Sequence, residues 1–131
     1  MKITKLLFLL MSLSFFTACE PTDDTVDANE ATYYLCQTHW DSSFTNTNGV
    51  ECEQEFLFDK DGTGVEFFTT YNPGHTYTEK YSFYWNWTSG YFNAIAIEYG
   101  SDDRVYFDNV VVGADFLTGY LDGDYAEFHP Y

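Results

Sequence analysis

Basic residues are scarce in this sequence, which has 131 residues with 5 Lys and Arg against 21 Asp and Glu, a net charge of -16. Each contact with a nucleic-acid phosphate requires a positive side chain, so this balance argues against nucleic-acid binding. It equally disfavours docking of a basic protein face on anionic lipid. We therefore expect no nucleic acid among the partners of this protein.

Motifs for catalysis and metal binding are also missing. His39, His75 and His129 do not have the spacing of metal ligands, and the sequence contains neither HExxH nor GxSxG. Residues 59–62 (DKDG) resemble the start of a calcium loop, but position twelve of that loop is Thr70 rather than Glu. Asp and Gly favour tight turns, so we interpret this segment as a hairpin turn. We expect no catalytic residues, no metal and no cofactor.

The one long apolar run is found at the N-terminus, where residues 6–16 follow Lys2 and Lys5. The run is shorter than the roughly 20 residues that cross a bilayer, and it fits a secretory signal peptide. It ends in FTAC at residues 16–19, which resembles the lipobox of bacterial lipoproteins. That resemblance implies a signal peptide over residues 1–18 and a membrane anchor of lipid (palmitate) on Cys19. The alternative is an ordinary cleaved signal followed by an incidental cysteine.

Removal of residues 1–18 takes away two lysines and no acid, so the net charge changes from -16 to -18. Residues 19–31 contain five acids and no aromatic residue, which predicts a solvated tether ahead of a domain over 32–131. Acids soon after a lipidated cysteine resemble the surface-export signals of some outer-membrane lipoproteins. We expect a bacterial outer-membrane location and leave open whether the protein faces the periplasm or the cell surface.

Two further cysteines, Cys36 and Cys52, are sixteen positions apart in the sequence. Exported proteins fold in an oxidising environment, which favours a disulfide between them. The alternative is a pair of buried free thiols.

From residue 32 onward the hydrophobic pattern has a period of two, and Gly, Asn and Asp interrupt it at short intervals. This pattern predicts an all-β fold, an antiparallel meander that forms a small closed or nearly closed barrel. An open sheet and a β-sandwich are the alternatives, and no helix is predicted after the signal. The predicted strands, about eight in number, are 32–40, 51–59, 63–70, 77–87, 91–99, 104–112, 116–121 and 124–129.

Four segments support a resemblance to a known family: residues 35–40 (LCQTHW), 56–64 (FLFDKDGTG), 83–85 (FYW) and 117–121 (LTGYL). With these segments, the mature domain resembles the small lipocalin-like β-barrel lipoproteins of the bacterial outer membrane. The resemblance implies a fold and an anchored location, and it implies little about chemistry.

Aromatic residues make up 21% of the chain, and they supply the candidate ligand-binding residues. Trp85 and Phe107 are expected to face inward and line a cavity, whereas Tyr84 is expected on the opposite face of its strand. Core packing and cross-strand ladders are the structural alternative. We expect a non-enzymatic binding or interaction module for a small ligand, glycan or protein partner. The alternative is a lipocalin-like carrier of a small apolar molecule or glycan.

Overall fold

The structure is a computed structural model that describes residues 28–131. The predicted signal peptide, Cys19 and residues 19–27 of the predicted tether lie outside the described residues. The described elements are α1 (Ala28–Gln37), β1 (Trp40–Thr45), β2 (Glu51–Phe58), β3 (Thr63–Asn72), β4 (His75–Trp87), β5 (Ile95–Gly100), β6 (Asp103–Val112), β7 (Leu117–Leu121) and β8 (Asp124–Pro130).

The eight strands form a closed antiparallel barrel in simple sequence order. Each strand pairs with the next, and β1 closes on β8 through the pairs Trp40–Pro130 and Asp41–His129. The prediction of an eight-stranded meander barrel is confirmed, and the alternatives of an open sheet and a sandwich are wrong. The period-two pattern succeeds because alternate side chains of a strand point to opposite faces of the sheet.

The first predicted strand, 32–40, is wrong, because Ala28–Gln37 is an α-helix and β1 begins at Trp40. The helix also takes in the last four residues of the predicted tether, 28–31. Adjacent tyrosines favoured a strand by propensity, but tertiary packing decides the outcome. Ala31 and Leu35 are four residues apart and therefore share one face of the helix, which is buried.

The two ends of the barrel differ in construction. We call one end the floor: it carries α1, the β2–β3 turn and the β4–β5 and β6–β7 loops. The other end, the open end, carries the β1–β2, β3–β4, β5–β6 and β7–β8 turns. Because α1 is attached to the start of β1 and packs on the core through Leu35, it covers the floor.

All three tryptophans of the chain tie the floor together with their indole N–H groups. Trp40 donates to the Leu35 carbonyl oxygen at 2.8 Å, and Trp87 donates to the Thr32 hydroxyl at 3.0 Å. Trp85 donates to a carbonyl oxygen of the β2–β3 turn at 2.8 Å. Helix and turn are thereby fixed to the strands by bonds that also satisfy buried donors.

Above the floor, aromatic rings fill the barrel, and they pack largely edge to face. Two glycines make room for them. A Cβ atom added at Gly64 would collide with the ring of Phe83, and one added at Gly119 would lie 2.5 Å from Cε1 of Phe107. The buried apolar side chains of this core are Leu35, Trp40, Phe56, Phe58, Phe83, Trp85, Ile95, Ile97, Phe107, Val110, Leu117 and Phe128.

Toward the open end the barrel separates into two four-stranded sheets, β1–β4 and β5–β8. Pairing of β4 with β5 extends from Trp87 only as far as Tyr84, and pairing of β1 with β8 stops at Asp41. Beyond those residues the described chain has no ladder joining the two sheets. The result is a cleft between the sheets, with the packed core beneath it.

Candidate functional site

A buried carboxyl group lies at the level where the two sheets part. Glu66 of β3 is 6% exposed, and its carboxyl accepts hydrogen bonds from both sides. Gln54 on β2 donates its Nε2 to Oε2 at 2.6 Å, and Tyr99 on β5 donates its hydroxyl to Oε1 at 2.6 Å. The Tyr99 bond joins the sheets above the level at which their backbone pairing ends.

The environment of Glu66 is polar and aromatic. The pKa of the Tyr99 hydroxyl is far above its usual value, mainly because the group is buried and also because it is bonded to Glu66 and lies near the charge of that residue. The hydroxyl therefore stays a donor at neutral pH. Tyr81 meets the Tyr99 ring edge to face, with centroids 6.3 Å apart. On the neighbouring strands, the Phe44 and Phe68 rings meet edge to face at 5.8 Å. A carboxyl group beside aromatic rings is suited to bind hydroxyl or amino groups on an otherwise apolar ligand.

Clefts open at both seams where the sheets part. The β1–β8 cleft has a volume of about 810 Å³, and Phe44, Gln54, Leu121 and Asp124 contribute to its lining. The β4–β5 cleft has a volume of about 730 Å³ and is lined in part by Tyr99. One hydrogen-bond partner of Glu66 therefore lines each cleft.

The predicted ligand-binding residues do not come together. Trp85 is 7% exposed and Phe107 is fully buried, so both belong to the packed core rather than to the lining of a cavity. Tyr84 is 68% exposed on the outer face. The alternation of β4 predicts the faces of Trp85 and Tyr84 correctly, but it does not show that neighbouring side chains fill the barrel around Trp85.

The structure does not contain the predicted disulfide: Cys36 and Cys52, both within the described residues, are free thiols. Cys36 lies beside Asp59 at the floor, whereas Cys52 lies near the opposite end of β2. Seven residues of extended chain span roughly 20 Å, far beyond the Cα separation of about 7 Å that a disulfide allows. Burial raises the pKa of the Cys36 thiol to about 11, which keeps it protonated and unreactive.

Acidic side chains crowd the outer face near the β1–β8 seam. Burial, a hydrogen bond to Glu53 and the charges of Glu53 and Glu55 raise the pKa of Asp41 to about 6. Its Oδ1 atom is buried without a hydrogen-bond partner. Glu55 is itself paired with His39 at 2.8 Å. Asp41 and Glu55 are direct cross-strand partners on β1 and β2, so like charges meet in this pair, which destabilises it.

Residues 28–131 lack two further features. No group of three or more His, Cys, Asp and Glu side chains in this part of the chain is placed to hold a metal ion. No helix among these residues has the length and apolar character to cross a membrane.

The sequence prediction missed Glu66, although a signal for it was present. On β3 the buried positions are Gly64, Glu66 and Thr70, so an acid occupies an inward position of the alternation. A buried carboxyl group needs hydrogen-bond donors, and Gln54 and Tyr99 become its donors only when the strands are paired.

Comparisons with protein-family models, curated proteins and solved structures find no match for this chain.

Proposed function

We propose that this protein is a non-enzymatic binding module, anchored by lipid on Cys19 in the bacterial outer membrane, that takes its ligand at the open end of the barrel. The observation that carries the proposal is the Glu66 carboxyl group, buried between two sheets and held by two neutral donors. Burial of a carboxyl group costs free energy, and recognition of a polar ligand group is a use that offsets this cost.

The position of the chain's N-terminal side supports this orientation. Residue 28 begins α1, the helix of the floor, and Cys19 precedes it by nine residues. Nine residues span at most about 30 Å. A lipid anchor at Cys19 therefore keeps the floor nearer the membrane and leaves the open end for partners, on the periplasmic or the cell-surface side.

A lipocalin-like carrier of a small apolar molecule or glycan is the second candidate. For an apolar cargo the packed core leaves the clefts beside the core as the place to bind. A glycan is favoured by a separate observation on the outer face: Tyr120 and Tyr125 are 43% and 57% exposed, and their rings meet at 5.6 Å. Flat exposed aromatic faces of this kind can stack on sugar rings.

Native mass spectrometry of the full chain, purified from its own membrane, tests the site. We expect wild type to retain a non-covalent ligand and Glu66→Gln to lose it. An amide has only one oxygen, so it cannot accept the hydrogen bonds of both Gln54 and Tyr99 as the two carboxylate oxygens do. Glu30→Gln, at an exposed position of α1 on the floor, is the matched control and should retain the ligand. Equal retention by Glu66→Gln and wild type would remove the open-end site from the proposal.

Anchoring is tested separately by incorporation of radiolabelled palmitate. Wild type should be labelled and remain with the membrane fraction, whereas Cys19→Ala should be unlabelled and released. Labelling of both proteins, or release of both, contradicts the anchor.

A further inference from the structure

The β4 strand has an edge that no described strand covers. It pairs with β3 from His75 to Tyr84, but its pairing with β5 is confined to residues 84–87. Among residues 28–131, nothing in the sheet lies beside the other edge of residues 75–83. The side chains of residues 75–82 are all exposed.

The backbone direction along this edge follows from two hydrogen bonds. Trp85 donates its N–H to Gly62 on the β3 side, and Thr88 donates its N–H to Ala94 on the β5 side. Because successive residues of a strand point their backbone groups to opposite sides, even-numbered residues of β4 point away from β3. The free edge therefore presents N–H and C=O groups of four residues: Thr76, Thr78, Lys80 and Ser82.

An edge of this length is a template for strand addition, and its charges disfavour addition of a second copy. A two-fold axis between antiparallel strands keeps side chains of the same face opposite each other. Centred on Glu79, such a pairing places Glu79 against Glu79, and centred on Lys80 it places Lys80 against Lys80. Like charges directly opposite in a sheet are destabilising, so the register centred on Glu79, in which all four residues of the free edge pair, is penalised, and so is the shorter register centred on Lys80.

We propose that the free edge of β4 binds an extended segment of a different protein, with a basic side chain opposite Glu79 and an acidic one opposite Lys80. This inference rests on the proposed binding function and names its partner as a protein strand. Charge complementarity carries the choice of occupant. Glu79 is on the same face of the β3–β4 hairpin as Glu66, and Lys80 is on the other face, 5.9 Å from the centroid of the Phe67 ring. The partner strand must therefore present a basic side chain on one face and an acidic side chain on the other.

The chain's own N-terminal segment does not meet this requirement. Residues 20–27 contain four acids and no Lys or Arg, so they offer no basic side chain to Glu79. Residue 28, which follows this segment, begins the helix of the floor, whereas the free edge runs toward the open end.

Two synthetic peptides of identical composition test the edge by fluorescence anisotropy with the full chain in detergent. The matched peptide, Thr-Val-Glu-Lys-Thr-Val-Thr, places Lys opposite Glu79 and Glu opposite Lys80 when it lies antiparallel over residues 76–82. The swapped peptide exchanges its Glu and Lys. We expect the matched peptide to bind about tenfold more tightly, since two cross-strand charge pairs change from attractive to repulsive.

The double variant Glu79→Lys and Lys80→Glu should invert the preference and bind the swapped peptide more tightly. This outcome does not depend on a loss of folding, because a misfolded variant would bind neither peptide. Thr78→Pro removes one outward N–H and no backbone hydrogen bond to β3, although it also loses the hydroxyl bond to Thr69, and it should weaken binding of the matched peptide. Equal binding of both peptides to wild type, or an unchanged preference in the double variant, overturns the inference.

The result also separates this inference from the function on which it rests. If Glu66→Gln loses the native ligand and the two peptides bind wild type equally, the open-end site is supported and strand addition is contradicted. If peptide binding depends on the charges at residues 79 and 80 and Glu66→Gln still retains the ligand, strand addition is supported and the ligand site is contradicted.

Discussion

The floor and the open end of this barrel are built from the same strands and differ in almost every other respect. Near the floor, β2 and β4 point Phe56, Phe58 and Phe83 into a closed core. A few residues away, β2 points Gln54 into the β1–β8 cleft, where it donates to the buried Glu66 of β3. Apolar burial dominates stability, so the closed half holds the fold together and leaves the open half free to carry polar groups.

Loss of a floor tryptophan should have the largest effect on stability. Trp40 is fully buried, and its indole N–H is bonded to the Leu35 carbonyl oxygen. Trp40→Ala leaves a cavity and detaches α1, so we expect the free energy of unfolding in urea to fall by about 3–5 kcal/mol.

Phe44→Ala at the open end is the control for that comparison. Phe44 is 40% exposed, so its truncation should cost about 1 kcal/mol or less. Equal losses from the two variants would show that the floor and the open end contribute equally to stability.

The glycine beneath the Phe107 ring should show the next largest effect. In Gly119→Ala the added methyl group meets the ring and the Asp108 carbonyl oxygen, so we expect a loss of about 1–3 kcal/mol in thermal or urea unfolding. Gly100→Ala is the matched control, because a Cβ atom there meets nothing within 4 Å. An unchanged stability of Gly119→Ala would mean that the Phe107 ring can shift to make room for the methyl group.

The same contrast explains which parts of the structure were predictable from the sequence. The strands and hairpin turns follow from local alternation and from Gly and Asp at turn positions, which each segment carries by itself. The helix α1 was missed because its burial against the floor depends on the finished barrel. Glu66 was missed as a site for the same reason, since its donors are 12 and 33 residues away.

Within the cleft, loss of the bond that joins the two sheets should have a moderate effect. Tyr99→Phe removes the donor to Glu66 and should lower the free energy of unfolding by about 1 kcal/mol. Tyr120→Phe, on the exposed outer face, should change it by much less. An identical change in the two variants would contradict a role for the Tyr99–Glu66 bond in holding the cleft.

The smallest expected effect concerns pH and the seam between β1 and β8. The pKa of Asp41 is raised to about 6 in the folded protein, so folding favours its protonated form. Its contribution to stability should therefore increase as the pH falls from 7 through 6 and level off below the unfolded value, near 4. Asp41→Asn should be more stable than wild type at pH 7.

Urea unfolding of wild type and Asp41→Asn between pH 4.5 and 7.5 measures this effect. The difference in stability between the two proteins should shrink as the pH falls below 6. A difference that does not vary with pH would contradict the raised pKa, and Asp108→Asn, on an exposed position of β6, serves as the control.

The helix across the floor has a mechanical consequence for an anchored chain. Tension between a membrane at Cys19 and a ligand at the open end would enter the domain at the start of α1, before it reaches any strand. The load would then fall first on the buried contacts of Ala31 and Leu35 and on the indole bonds of Trp40 and Trp87. Single-molecule pulling from the N-terminal side should accordingly release α1 at a lower force than the barrel, so that the helix detaches while the open half of the barrel stays folded.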